Sequence, residues 1–119
     1  MNIGFIGTGL MGSPMIKNLL KSKHKISIFN RTLSKAKKLK KYGAYLSYTI
    51  EELVKDKEII ITMLTDDKAV NDIIRSKTFL NNVCKETTVI DMSSTKPSTA
   101  LDNYKTLKKR GVYFLDAPV

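Results

Sequence analysis

Apolar positions along this chain alternate between two periods: short runs rich in β-branched and aromatic residues, and longer stretches spaced i, i+3, i+4. Residues 2–6 predict a buried strand, after which Met11, Met15, Ile16, Leu19 and Leu20 recur at helical spacing. A second strand is predicted over 25–29. Thr32 then stands where it can cap a helix that carries Leu33, Ala36 and Leu39 inward and ends near Gly43. Residues 44–46 read as a short, weak strand. Thr49 and Glu52 form a capping box, in which hydroxyl and carboxylate each satisfy an exposed amide at the start of a short helix. The clearest strand covers 58–63. Asp66 or Asp67 opens a helix bearing Ala69, Val70, Ile73 and Ile74, and a strand comes next over 87–90. Pro97 suits the first turn of a last helix with Ala100, Leu101, Tyr104 and Leu107 inside, closed by Gly111 before a strand over 112–115.

Strands alternating with helices in this way build a doubly wound α/β domain, a mainly parallel sheet covered on both faces. Residues 1–119 are expected to form one such domain. Right-handed crossovers bring the C-terminal ends of the strands to one edge, where such sheets bind ligands at the point of strand reversal. Candidate site residues therefore lie at Gly7, at Asn30, over 63–65 and over 91–94.

Composition narrows the function classes. Hydrophobic residues at 42%, charged residues at 27%, six Gly and three Pro exclude collagenous, low-complexity and disordered chains. No run approaches the roughly 20 apolar residues of a membrane span. The start lacks a basic leader, and the single Cys84 can form no internal disulfide, which together predict a reducing, cytoplasmic setting. A net charge of +10 invites a nucleic-acid reading, but it comes from 18 Lys against only 3 Arg, and base readout leans on Arg. The dense run 35–41 keeps Ala36 and Leu39 at helical spacing and reads as the wet side of an amphipathic helix. A nucleic-acid partner is therefore not expected, although a positive field attracts anionic small molecules.

The chemistry starts at Gly7-Thr8-Gly9-Leu10-Met11-Gly12, a G-x-G-x-x-G run placed between a predicted strand and a predicted helix. Gly7 permits the tight turn, Gly9 lets backbone approach a pyrophosphate, and Gly12 lets helix pack on strand. The residue that reads the adenosine ribose comes about 20 residues later, at the end of the second strand. Asn30-Arg31-Thr32 stands there, without the Asp or Glu of an NAD-selective site. Arg31 offers a charged planar fork to a 2′-phosphate, with Asn30 and Thr32 as neutral donors, so NADP is expected ahead of NAD. The alternatives are a solvated turn residue for Arg31 and a plain helix cap for Thr32.

The stretch from Phe5 to Leu19, which runs through that loop into Ser13-Pro14-Met15-Ile16-Lys17-Asn18, resembles the opening of the β-hydroxyacid dehydrogenase family. That family includes 3-hydroxyisobutyrate dehydrogenase, tartronate semialdehyde reductase and glyoxylate/succinic semialdehyde reductase. Asn30-Arg31-Thr32, the segment 61–66, Ile90-Asp91-Met92-Ser93-Ser94-Thr95-Lys96-Pro97 and the ending Phe114-Leu115-Asp116-Ala117-Pro118-Val119 agree with it in order and spacing. The resemblance implies that Met63, Leu64 and Thr65 lie near the nicotinamide half of the cofactor and that Ser94 contacts it close to the substrate. Thr65 departs from a usual Pro, and Thr95-Lys96 from a usual apolar and small pair, which leaves capping of the last helix as the alternative role for Ser94 or Thr95. In the family the stretch matching 116–119 continues into a Ser-Gly-Gly substrate loop and a helical domain bringing a proton-transfer Lys and much of a dimer interface. The resemblance thus predicts the cofactor half of an oxidoreductase for a small 3-hydroxy acid or semialdehyde, inactive by itself and prone to self-association. A non-catalytic dinucleotide-binding module is the alternative.

Other candidates are weaker. His24, the single histidine, is of a residue type common in acid/base catalysis but falls at the sheet edge opposite the cofactor, as does Cys84. Asp91 ends a strand on the correct edge, where a turn-stabilising role is expected. No His, Cys and carboxylate spacing suggests a metal.

Overall fold

The computed structural model describes residues 1–7, 9 and 12–119. Thr8, Leu10 and Met11, three of the expected loop contacts, lie outside the described residues. The chain runs β1 (Asn2–Ile6), α1 (Gly12–Lys21), β2 (Lys25–Phe29), α2 (Leu33–Lys37), a 3₁₀ turn (Lys40–Tyr42), β3 (Tyr45–Leu46) and α3 (Ile50–Val54). It continues through β4 (Ile59–Thr62), α4 (Asp67–Ile74), α5 (Lys77–Asn82), β5 (Thr88–Asp91), α6 (Pro97–Lys108) and β6 (Tyr113–Asp116). Among the described residues six strands form one sheet in the order β3-β2-β1-β4-β5-β6, with every neighbouring pair parallel. The chain reverses direction across the sheet between β1 and β4, which is the doubly wound Rossmann arrangement.

Alternation along the strands splits the core in two. Ile3, Phe5, Ile26, Ile28 and Ile61 pack under Ile16 of α1 and under Ala36 and Leu39. Ile6, Ile60, Val89 and Phe114 pack on the other face against Leu53, Val70, Ile74, Phe79 and Leu107 from α3 to α6. Helices α3 to α6 therefore share one face, and among the described residues α1, α2 and the turn that carries Leu39 cover the other. The expectation of a sheet covered on both faces holds for β1 and β2 and fails at the far edge. There Tyr113 and Leu115, on the α1 side of β6, remain 61% and 56% exposed.

Three local differences have physical causes. The helix expected over 33–43 stops at Lys37, and i, i+3 bonds from Leu39 N to Ala36 O and from Gly43 N to Lys40 O wind residues 38–43 more tightly. Like charges one turn apart along 35–41 oppose a longer α-helix, while the tighter winding still buries Leu39. Helix α5 has no periodic signature because it is little more than one turn; Ser76 caps it, accepting from Phe79 N at 3.2 Å, and fully buried Phe79 anchors it. Helix α6 buries Thr99, Asn103 and Leu107, whereas Leu101 and Tyr104, expected inside, are exposed. Its inward face is polar because it meets polar groups of α4 and its end: Asp67 accepts from Thr99 Oγ1 at 2.6 Å, and Arg75 Nε donates to Asn103 Oδ1 at 3.0 Å.

Candidate functional site

The strand ends at the reversal point stay locked together beyond the sheet. Gly7 N donates to Phe29 O at 2.9 Å, Met63 N to Ile6 O at 3.0 Å and Met92 N to Thr62 O at 2.8 Å. The four segments that leave β1, β2, β4 and β5 thus start from fixed backbone.

The glycines explain how the first of these segments turns. Gly7 has φ +104°, and a Cβ there would come within 2.1 Å of Met63 O, so neither the conformation nor the space admits a side chain. A Cβ on Gly12 would lie 2.5 Å from Gly7 O, which is the close approach of α1 to the end of β1. A Cβ on Gly9 would meet nothing within 4 Å among the described residues. The protein thus needs glycine at the first and third positions for its own packing, while the space over the second is open. Ser13 N closes the first helical bond, to Gly9 O at 3.1 Å.

A cleft of about 240 Å³ opens over this turn. Gly7 and Gly9 line it, with Asn30, Arg31 and Lys35 on the β2 side and Met63, Leu64 and Thr65 on the β4 side, so six residues expected from the sequence converge with Arg31 in one place. Thr32 and Ser94 are exposed and do not line it. Asn30 Nδ2 donates to Thr32 O at 2.9 Å and folds the loop so that Arg31 stands at the mouth. Thr32 occupies the N-cap of α2, but its hydroxyl makes no capping bond.

One participant was not singled out in the sequence, and another fell inside the 91–94 range without a role of its own. Lys35, read there as one solvated Lys among several, lines the cleft with Arg31. The signal available was its spacing: four residues after Arg31, on the first turn of α2. The second is Ser93, 1% exposed, which accepts from Leu64 N at 2.8 Å and donates its own amide to Asp91 Oδ1 at 3.1 Å. Thr62 Oγ1 donates to the same carboxylate oxygen at 2.8 Å. Buried Asp91 thus holds together the segments after β4 and β5, the turn-stabilising role expected of it.

The start of α6 is capped from outside. Lys96 occupies the N-cap without a side-chain bond, and neither Ser94 nor Thr95 replaces it. Asp67 of α4 does so instead, accepting from Lys96 N at 2.9 Å and from Thr99 Oγ1. These bonds, the Thr99 one foremost, favour the charged carboxylate and lower its pKa from the ordinary value. Burial lowers the Lys57 pKa, far from the cleft. His24 precedes β2 and Cys84 precedes β5, both at the opposite edge of the sheet. Among the described residues no group of three His, Cys, Asp or Glu could hold a metal ion, and no helix is long and apolar enough to cross a membrane.

The glycine turn, the open space above Gly9 and the cations at the end of β2 fit a dinucleotide along the strand tips. The comparisons with known proteins agree. The chain is 35% identical over 120 residues to glyoxylate/succinic semialdehyde reductase 1 of Arabidopsis thaliana, covering 100% of this chain and 42% of that protein. It is 35% identical over 118 residues to the cytokine-like nuclear factor N-PAC of Xenopus tropicalis, covering 98% of this chain and 22% of that protein. Among solved structures, 3-hydroxyisobutyrate dehydrogenase of Mycobacterium tuberculosis with L-serine superposes at a TM-score of 0.94 with 28% identity, over 100% of this chain and 40% of that one. The chain therefore spans less than half the length of these relatives, and the resemblance to β-hydroxyacid dehydrogenases read from the motifs holds from end to end. Residues 2–119 match the family described as the NAD binding domain of 6-phosphogluconate dehydrogenase, and the chain belongs to that family.

Proposed function

We propose that this chain binds NADP and forms the cofactor half of an oxidoreductase acting on a small 3-hydroxy acid or its semialdehyde. The observation that carries the reading is the cleft itself: open space over Gly9 on one side, Arg31 and Lys35 on the other, and no carboxylate among the described lining residues. Gly9 and the first turn of α1 would take the pyrophosphate, and the two cations a 2′-phosphate. Met63, Leu64 and Thr65, held by Ser93, would border the nicotinamide, with Ser94 beyond them. Thr8, Leu10 and Met11 complete the phosphate loop in this reading. The cofactor when bound supplies the hydride chemistry, and these residues bind it, orient it and keep water from one of its faces.

Of the groups near the cleft among the described residues, Lys35 lies on the β2 side and is assigned to the 2′-phosphate, His24 stands at the opposite edge of the sheet, and both oxygens of Asp91 are buried. Residues 1–119 by themselves would therefore bind cofactor without useful turnover, and the acid/base and the substrate loop would come from a further, helical domain. Positioned acid/base catalysis contributes on the order of 10²- to 10⁴-fold, and substrate orientation more. We place the protein in the cytoplasm.

The test is a calorimetric titration with NADPH and NADH in parallel, combined with NADPH consumption across a panel of semialdehydes and glyoxylate. NADPH should bind about 10- to 100-fold tighter, equivalent to about 1.4 to 2.7 kcal/mol for a charge-assisted contact. Arg31→Ala should remove most of that preference and spare NADH. Equal affinities would refute the NADP reading, and robust turnover would refute the missing acid/base. A second reading, a dinucleotide-binding module without catalysis, is favoured by the likeness to N-PAC, named as a nuclear factor and equal in identity to the plant reductase. Restored turnover on adding the helical domain of a reductase, as part of the chain or as a second one, would decide against it.

A further inference from the structure

The +10 charge is not spread over the chain. Residues 1–50 hold nine Lys, Arg31 and no Asp or Glu, whereas residues 51–119 hold eleven cations and eleven carboxylates. The whole excess therefore sits on β1, β2, β3 and the helices α1 and α2 beside them. Four of these Lys line a single hollow of about 530 Å³: Lys17 from α1, Lys35 from α2, and Lys38 and Lys41 from the turns after α2, with Gly9 at its upper end and Tyr42 in its wall.

Ammonium groups gathered round one concavity repel each other, at about 1 kcal/mol per pair at 4 Å even in water. Among the described ion pairs none involves these four side chains. The fold instead fixes two of them on an aromatic face: Lys17 Nζ lies 4.5 Å and Lys41 Nζ 5.3 Å from the centre of the Tyr42 ring. A ring shared by two cations keeps both at the wall of the hollow rather than free in solvent. Of the remaining cations of this half, Arg31 lines the adjoining cleft, and Lys37 and Lys40 line neither cavity. Lys21, Lys23 and Lys25 stand where α1 ends and β2 begins, at the opposite edge of the sheet. Four of the ten cations of this half thus line one open hollow beside α1 and α2, a shape for a compact anion rather than for a strand of nucleic acid.

We propose that this hollow is a second anion site, for a small molecule carrying two or more adjacent phosphate groups. It adjoins the dinucleotide cleft, sharing Lys35 and Gly9 with it. Occupation of the two is coupled, because an oligophosphate in the hollow and a 2′-phosphate in the cleft compete for the Lys35 ammonium. The site would therefore weaken NADP binding more than NAD binding.

The experiment uses the whole chain and inorganic tripolyphosphate as the probe, by calorimetry at about 0.15 M salt, where long-range fields are screened beyond about 8 Å. Saturable one-site binding is expected. Lys38→Gln with Lys41→Gln should weaken it at least about 10-fold, equivalent to about 1.4 kcal/mol. Lys21→Gln with Lys23→Gln, the same change of charge at the other edge, should leave it within about 3-fold, as should Arg31→Ala. All replaced Lys are exposed, and circular dichroism would verify that each variant is folded. No binding of tripolyphosphate at millimolar concentration would overturn the proposal, as would equal weakening by the two Lys pairs, which signals a diffuse field. Tighter binding of a short DNA duplex, weakened alike by both pairs, would overturn it in favour of a nucleic-acid surface. If the Lys38/Lys41 pair weakened NADPH as much as tripolyphosphate, the hollow would be part of the cofactor cleft. That result would end this proposal while leaving the cofactor reading standing.

Discussion

Three glycines in one loop should respond to substitution in opposite ways, because only two of them serve the fold. A side chain on Gly7 must adopt φ +104° and place its Cβ 2.1 Å from the carbonyl oxygen of Met63, a backbone atom held in the sheet by the neighbouring Met63 N to Ile6 O bond. The conformation alone costs about 1–2 kcal/mol, and relief of the contact requires β1 and β4 to part where the ladder continues into the site. Gly7→Ala should therefore destabilise the domain by roughly 3 kcal/mol or more, a large share of the ~6–15 kcal/mol typical of a domain this size. Gly12→Ala, with its Cβ 2.5 Å from Gly7 O, should also be costly, at roughly 2–3 kcal/mol, because helix α1 must lift from the strand end. Gly9→Val differs in kind. Among the described residues nothing lies within 4 Å of its Cβ position, and the backbone is not in the left-handed region, so urea unfolding should shift by no more than about 1 kcal/mol. Its branched side chain would nonetheless fill the space assigned to the pyrophosphate, and NADPH affinity should fall at least about 100-fold, or 2.7 kcal/mol. The assay pairs urea denaturation with calorimetry on each variant. A folded Gly9→Val protein that binds NADPH like the wild type would show that the cofactor does not lie over Gly9. A Gly7→Ala protein as stable as the wild type would show that the turn is not locked as described.

Asp67 has a lowered pKa in the folded chain, so its bonds to Lys96 N and Thr99 stabilise the fold above the ordinary aspartate range and are lost as pH falls through the lowered value. The stability difference between wild type and Asp67→Asn, read by thermal melting from pH 7 downward, should shrink in that acid window; a constant difference would refute the cap. Ser93→Ala deprives Leu64 N of its acceptor, and should cost about 1–2 kcal/mol and loosen the 63–65 segment, seen as faster amide exchange there. Unchanged exchange at Leu64 would contradict this. The bare half-face of the sheet at β6, with Tyr113 and Leu115 exposed, should bring two copies together, so sedimentation should show a dimer or a concentration-dependent species, and a clean monomer at high concentration would argue against it.

How much of this was legible in the sequence depended on whether a residue's task was local. Strands β1 and β2 fall where the apolar runs put them, and Thr49 caps α3 by accepting from Glu52 N at 3.1 Å, because strand runs and caps depend on near neighbours. Even there the box closes one residue early, with Glu52 accepting from Tyr48 N at 2.9 Å. The failures are long-range. Helix α6 turns Thr99 and Asn103 inward because Asp67 and Arg75, some 30 residues earlier, complement them, and hydrophobic counting selects the wrong stripe when the facing helix is polar. Alternation along β6 says which side Tyr113 and Leu115 face, not whether anything lies on that side, and both are exposed.

The cleft divides along the same line. Gly7, Gly9 and Gly12 were readable because a turn of this shape is written in consecutive residues, and Arg31 because its distance from the loop is set by one strand-helix-strand unit. Ser93 was passed over for Ser94 because the difference between them is which of two adjacent side chains points under the β4 segment, and that depends on the register of β4 against β5, with Thr62 paired to Asp91. Lys35 was hidden for a different reason. In sequence it is one of five Lys within 35–41, and only the fold sorts them: Lys35 to the cleft and the hollow, Lys38 and Lys41 to the hollow, Lys37 and Lys40 to neither. A run of like charges that looked like one solvated face thus divides between two neighbouring cavities that share Lys35, and beyond the early end of α2 at Lys37 the tighter turn sets Lys41 over the Tyr42 ring that Lys17 also approaches.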